Sequence, residues 1–301
     1  MPDFVIGFGL VAVVLTATGL ISGLVERSPV SFPLIFLGLG LLLGGGGFGV
    51  IDIGPHDEVL EIVATLTLSL VLFLDAVKLD VKELGRKWAI PFLILGPGTL
   101  LIIAIGAVPL ALVFGFSWVI ALMGGAILAS TDPVVLREIL RDDRIPRSVR
   151  QVLRIEAGTN DVVVLPVLLV LIAVHHQEAT SIGAWSVFLA KLLLLGPAIG
   201  FAIGGAGAWL MAKADRHMGV RTEYQALYGV GLVLAAFTAA TAAGGDGFLG
   251  AFAAGFAVVV LNQVLCSCFL EYGETTAEMA MLVTFILFGA VLSTLYGLVD
   301  W

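Results

Sequence analysis

Apolar residues in this chain come in runs of about 20, the length at which a helix crosses roughly 30 Å of hydrocarbon. No other feature restricts the fold as strongly. Ten runs are legible, near 4–24, 30–50, 59–77, 88–114, 116–137, 149–174, 184–211, 224–243, 247–265 and 277–299. Strands that span a bilayer need ~9–11 residues of alternating polarity; no such alternation occurs, so the runs predict helices. Charged residues make up only 13% of the 301 positions, against about 25% in soluble domains. The expected fold is therefore an all-α, multi-pass integral membrane protein.

The placement of charge predicts an orientation. Of the 15 Lys and Arg residues, all but Lys191 fall at alternate connections. Arg27 follows the first run, and Lys78, Lys82, Arg86 and Lys87 lie between the third and fourth. A cluster from Arg137 to Arg154 surrounds the fifth connection, and Lys213, Arg216 and Arg221 the seventh. The opposite loops carry Asp52, His56, Asp57, Glu58, His175, His176, Glu178 and Asp246. Cation-rich loops stay in the cytoplasm, so the N-terminus is expected on the outer face of the cell membrane. The first run has no basic segment before it and no small-residue cleavage site after it, which predicts a retained helix and not a signal peptide.

Several chemistries find no support. No His-Glu-x-x-His, Gly-x-Ser-x-Gly or Walker-type sequence is present, so neither an enzyme nor nucleotide-driven transport is expected. Nucleic acid and nucleotide are not expected partners, and no cofactor is expected. Cys266 and Cys268, one residue apart, match no metal-binding spacing and read as inert thiols.

Two patterns bear on organisation. The segment VLFLDAV at 71–77 returns weakly as FILFGAV at 285–291, on runs that would cross in opposite directions. An inverted-topology repeat predicts this arrangement. Gly196, Gly200 and Gly204, followed by Ala208, put small residues on one helix face; packing within the chain is the favoured reading over an oligomer interface. The Gly44–Gly47 stretch predicts a helix end or loop.

Ionisable side chains inside the runs are costly and point to function. Thr131-Asp132-Pro133 sits in the fifth run, and Glu156 and Asn160-Asp161 in the sixth. Pro133 has no N–H to donate, so the carbonyl of Ala129 loses its intrahelical partner and the helix is expected to break there. A helix broken at membrane depth is tolerated where it borders protein or a wet cavity. It then offers carbonyls, the Thr131 hydroxyl and the Asp132 carboxylate as hard oxygen donors for a small monovalent cation. Pro166 is expected to act likewise on the carbonyl of Val162.

Asp161 lies roughly 18 Å into its run at 1.5 Å per residue, near the bilayer midplane. Desolvation disfavours an uncompensated charge, so such a carboxylate can hold a proton or a cation but not both favourably. Glu156 and Asn160, four apart, share a helix face, and Asn160 could orient Asp161 without adding charge. Plainer readings exist for some positions. Asp132 could cap the segment that follows it, Glu156 could pair with Arg154, and Asp75 could be an interface residue beside Lys78. His175 and His176 read as solvated interfacial side chains.

The order TDPV, a basic connection, then E-x-x-x-ND on the next helix resembles the monovalent cation:proton antiporters of the sodium/proton exchanger superfamily, NhaP type. LFLDAVKLDVKELGRKW is similar to that family's connection between spans 3 and 4, and TFILFGAVL to a later span. The resemblance implies an inverted-repeat antiporter fold of thirteen spans, unwound at span 5, with a dimerisation domain and a mobile core. Residues 1–301 would then form one transmembrane exchanger domain. Spans 1–6 would be the first repeat, span 7 a linker and spans 8–10 the start of the second, so a chain lacking its last spans is expected.

The resemblance further implies a homodimer, and an ion site lined by Thr131, Asp132 and Asp161 with Asn160 beside it. Pro133 and Glu156 would support the core. Exchange of Na+, or of Li+ or K+, for protons is the implied activity, electroneutral because Asn-Asp stands in place of Asp-Asp. Two departures stand out. No arginine follows Arg221 to pair with Glu156, and Ala157 stands where relatives carry a serine.

Overall fold

A computed structural model describes residues 31–79, 92–130, 160–177, 181–261 and 263–296, with isolated positions before 31 and between 142 and 156. Every element of length is helical. Nine helices occur among the described residues, α1 (Phe32–Leu43), α2 (Glu58–Val77), α3 (Ile94–Leu112), α4 (Trp118–Ala129), α5 (Asp161–His175), α6 (Ile182–Met218), α7 (Thr222–Ala242), α8 (Gly247–Leu261) and α9 (Gln263–Tyr296). They follow the second to tenth apolar runs in order. The first run falls mostly outside the described residues; Gly9, Ala12, Thr16, Gly19, Leu20 and Gly23 within it are helical. Five helices are long and apolar enough to cross a membrane, namely α2, α3, α6, α7 and the stretch Gly273–Leu295 of α9.

The chain divides into two compact units, Met1–Leu68 with Thr275–Trp301, and Ser69–Glu274. In the first, α1 ends at Leu43, earlier than the apolar run suggests. The glycines that follow turn the chain back, with Phe48 N donating to Leu42 O at 2.7 Å and Ile51 N to Leu43 O at 2.9 Å. Gly49 supplies the turn's positive φ of 65°, which a residue without Cβ adopts without strain. Phe36, Leu282 and Ile286 form the dry core of this unit. Gly40 and Gly289 let the backbones of α1 and α9 meet, and a Cβ on either would press into the other's Cα at 2.9 Å. Thr67 and Thr284 share a buried hydrogen bond of 2.9 Å.

The second unit holds two groups of helices. One is α3, α4 and α5, packed through Ile103, Ala126, Ala129 and Val164. The other is α6, α7 and α8, in which α6 and α8 lie closest. Gly196, Gly200 and Gly204 of α6 rest on the backbone at Asp246, Gly250 and Ala254 respectively. The glycine stripe thus packs within the chain, as its spacing predicts. Single π turns interrupt α3 at Ile94–Gly98 and α6 at Lys191–Leu195. Each accompanies a proline, Pro97 or Pro197, whose missing N–H strands a carbonyl one turn earlier.

Two boundaries differ from the sequence expectation. α9 starts at Gln263 and runs for 34 residues, so the segment read as a connection between the last two runs is helical. Its glutamates exclude it from hydrocarbon but not from a helix. Pro166 also lies inside α5 without ending it. Lys78 Nζ, just past α2, pairs with Glu274 of α9 at 2.9 Å. Those two positions therefore lie at the same end of the unit.

Candidate functional site

The site forms where α4 stops and α5 begins. Ser117 opens α4, its Oγ accepting from the N–H of Ile120 at 3.5 Å. Gly125 lets α4 lie against α3, where a Cβ on Gly106 would stand 3.4 Å from the Gly125 Cα. The helix ends at Ala129. Ser130 has left it, with φ −71° and ψ 119° in the extended region, and its N–H reaches only the carbonyl of Ile127 at 3.4 Å. α4 thus ends two residues before the Thr-Asp-Pro element. Thr131, Asp132 and Pro133 themselves lie outside the described residues, as does Ala157.

Asn160, the residue before α5, is already in helical backbone, with φ −60° and ψ −35°. Asn160 N donates to Glu156 O at 2.9 Å, and the Asn160 carbonyl accepts from Val163 and Val164 at 2.9 and 2.8 Å. This turn sets Asn160 and Asp161 facing the end of α4. Asn160 Nδ2 donates to the carbonyl of Ala129 at 3.4 Å, and Ser130 Oγ donates to Asp161 Oδ1 at 2.7 Å. Consecutive residues of α4 thus meet consecutive residues of α5. The first contact is dry, since Asn160 is 1% exposed. At the second, Ser130 is exposed and Asp161 half-buried.

One expectation is adjusted by this geometry. The Ala129 carbonyl, expected to be released toward an ion, is occupied by the Asn160 amide. Asn160, read as able to orient Asp161 or its neighbours, reaches across to Ala129, the residue before the Ser130 that meets Asp161. A buried amide must find partners within the protein, and the Ala129 carbonyl at the end of α4 is one. Glu156 is half-buried one turn before Asn160 and engaged. Ser130 is not among the residues the sequence singles out; the signal for it is a hydroxyl immediately past the predicted helix end, next to a residue tied to Asn160.

Other candidates lie apart from this junction. His175 and His176 are exposed at the far end of α5, their rings edge to face at 5.5 Å. Asp246 caps α8 through Leu249 N at 2.8 Å. Its burial pushes the carboxyl above the usual Asp range, opposed by the N–H groups of Leu249 and Phe248. No group of three or more His, Cys, Asp or Glu that could hold a metal occurs among the described residues.

A bundle of apolar helices, one ending beside an acidic residue of the next, is the architecture of a polytopic membrane protein. Residues 11–295 match the model of the sodium/hydrogen exchanger transmembrane family, and the chain belongs to that family. It is 26% identical over 262 residues to a K+/H+ antiporter NhaP of Alkalimonas amylolytica, covering 85% of this chain and 44% of that protein. To a K+/H+ antiporter NhaP2 of Shewanella oneidensis it is 28% identical over 213 residues, 70% of this chain and 36% of the relative. The chain thus spans less than half the length of the curated relatives it matches. Its fold is that of the sodium proton antiporter MjNhaP1 from Methanocaldococcus jannaschii, with TM-score 0.74 at 19% identity, covering 96% of this chain and 71% of that one. Family and apolar helices together make the chain a multi-pass integral membrane protein.

Proposed function

We propose that this protein exchanges a monovalent cation for protons by alternating access, with Asp161 as the shared carrier. The observation that carries the reading is the carboxylate of Asp161 held against the broken end of α4 by Ser130. A carboxylate half out of water binds one positive charge at a time. Protonation on one side and cation uptake on the other then couple the two fluxes. Thr131 and Asp132 supply further oxygens, Asn160 fixes the junction, and Glu156 and Pro133 support it. Exchange is electroneutral, one proton for one cation, and flux is insensitive to an imposed membrane potential. The N-terminus faces outward, the chain works as a homodimer, and its helices belong to a thirteen-span inverted-repeat fold.

Na+ is the first candidate for the cation, with Li+ beside it. The names of the relatives as K+/H+ antiporters favour a second reading in which K+ is preferred. Dye-reported proton flux in proteoliposomes on adding Na+, K+ or Li+ decides between them. Asp161→Asn, which keeps shape and removes the titratable charge, abolishes flux for every cation. Flux retained in that variant overturns the carrier role, and no flux from either protein favours a non-transporting membrane component.

A further inference from the structure

The exposed contact of the junction carries an inference about a residue so far without a role. Ser130 lies one position past the end of α4, in extended backbone, and donates a 2.7 Å hydrogen bond to Asp161 Oδ1. That length is ordinary for an O–H···O bond and also falls at the upper end of the range for a hydroxyl facing an ionised carboxylate. The contact is not an accident of a loose side chain. One residue earlier, Ala129 is tied to the buried Asn160, and both bonds join positions separated by 31 residues. The dry bond fixes the register, and the register delivers the Ser130 hydroxyl to Asp161.

The two contacts divide the labour by exposure. The Ala129–Asn160 bond is sealed. Ser130 is exposed and Asp161 half-buried, so an incoming ion can reach the carboxylate. A serine hydroxyl carries one proton and two lone pairs. It can donate to Asp161 and still present an oxygen to a cation bound there.

We propose that Ser130 is a positioning residue of the exchange site. Its hydroxyl holds Asp161 in the orientation that accepts a monovalent cation, and contributes an oxygen to that cation. The inference rests on the exchanger reading for its purpose, but cation binding tests it separately from transport. The α4 helix ends before Ser130 and, among the described residues, no backbone bond depends on its side chain, so Ser130→Ala keeps the wild-type melting temperature in detergent.

In proteoliposomes, Ser130→Ala raises the KM for the cation about tenfold, the weight of one hydrogen bond to a charged group. The maximal flux stays within about twofold, since the proton-carrying carboxylate remains. Ser130→Thr, which restores a hydroxyl, recovers most of the affinity. Calorimetric titration of the purified protein with NaCl and KCl against choline chloride follows the same order. An unchanged KM and an unchanged binding constant in Ser130→Ala overturn the proposal. So does a loss of maximal flux and melting temperature that Ser130→Thr fails to restore, because that is a structural role. A wild-type protein that binds cation but moves no protons sinks the exchanger reading while the titrations still judge Ser130. A wild-type protein that binds no cation overturns both.

Discussion

Two seams inside the second unit are built on the same geometric idea with opposite materials. Between α6 and α8, Gly196, Gly200 and Gly204 meet Asp246, Gly250 and Ala254, advancing four residues on each helix at every step. Backbone touches backbone, and little but van der Waals contact holds the pair. Between the end of α4 and the start of α5, two consecutive residues also meet two consecutive residues, but through hydrogen bonds, one buried and one exposed. Along its glycines the first seam presents no side-chain polar atom, and the Asp246 carboxylate at its end is engaged in capping α8. The second holds a carboxylate and a hydroxyl within reach of solvent. Close packing of small residues makes a rigid frame, and a helix break leaves polar groups whose partners must come from a neighbour. Substitutions at the first seam should therefore register in folding, and substitutions at the second in ion handling.

The largest effect tests the frame. Gly200→Leu places a side chain where the Gly250 backbone stands, with no flexible neighbour to yield. We expect destabilisation at or above the roughly 1–3 kcal/mol of overpacking, seen as a lower melting temperature and a poor yield of monodisperse protein. A variant that melts like wild type would show that the α6–α8 seam can part, and would remove the contrast. Asn160→Leu comes next. It keeps the branching of the side chain, with slightly larger methyl groups, but deletes the buried cross-bond to the Ala129 carbonyl, at a cost of about 1–3 kcal/mol. Because it sets the register that serves Ser130, we expect flux to fall as well as stability. Flux preserved at wild-type KM would separate the two contacts.

How much of this was legible in the sequence follows from the same physics. Hydrocarbon solvent demands long apolar helices, so runs two to ten each found their helix. Where the bilayer's demand ends, so does the signal. The end of α1 at Leu43 was marked by the Gly44–Gly47 stretch and not by hydropathy, and α9 extends back to Gln263 through charged residues that hydropathy reads as a connection. The glycine stripe was readable because its spacing is a helix period. At the junction, Asn160 and Asp161 were conspicuous because polar groups are rare at that depth, and a helix end near Ala129 was expected from proline chemistry. Ser130 was not conspicuous. A serine costs little anywhere in a helix bundle, and its meeting with Asp161 depends on a register that only the packed helices define. The Thr131 and Asp132 roles lie outside the described residues.

Smaller effects probe the edges of the two seams. Asp246 sits where α6 and α8 meet, and burial raises its carboxyl above the ordinary value of 3.8. A folded value above the unfolded one means that the native state binds the proton more tightly. This group's stabilising contribution is complete below pH 3.8, declines as pH rises through the folded value, and is flat beyond it. Asp246→Asn removes that dependence and keeps a capping oxygen for Leu249, since Asn and Asp cap about equally well. We expect melting curves of the two proteins, recorded across pH, to diverge in the variant's favour as pH rises above 3.8. A wild-type protein that gains stability over that interval would contradict the assigned burial cost.

The smallest effect concerns Lys78 and Glu274, an ion pair of 2.9 Å whose side chains are 44% and 56% exposed. By length alone it ranks ahead of the 3.4 Å Asn160–Ala129 bond, and a view that ranks contacts by distance would hold it the stronger. Exposure argues otherwise. A solvated pair gives back in desolvation and side-chain ordering most of what it gains, leaving about 0–1 kcal/mol, and salt screens the remainder. Lys78→Met should therefore shift the melting temperature little, less still in high salt, and leave both the flux and the cation KM unchanged. If it instead costs as much as Asn160→Leu, burial is not what separates the contacts of this unit. The α4–α5 junction would then owe its importance to chemistry alone, with no contribution from its sealed neighbour.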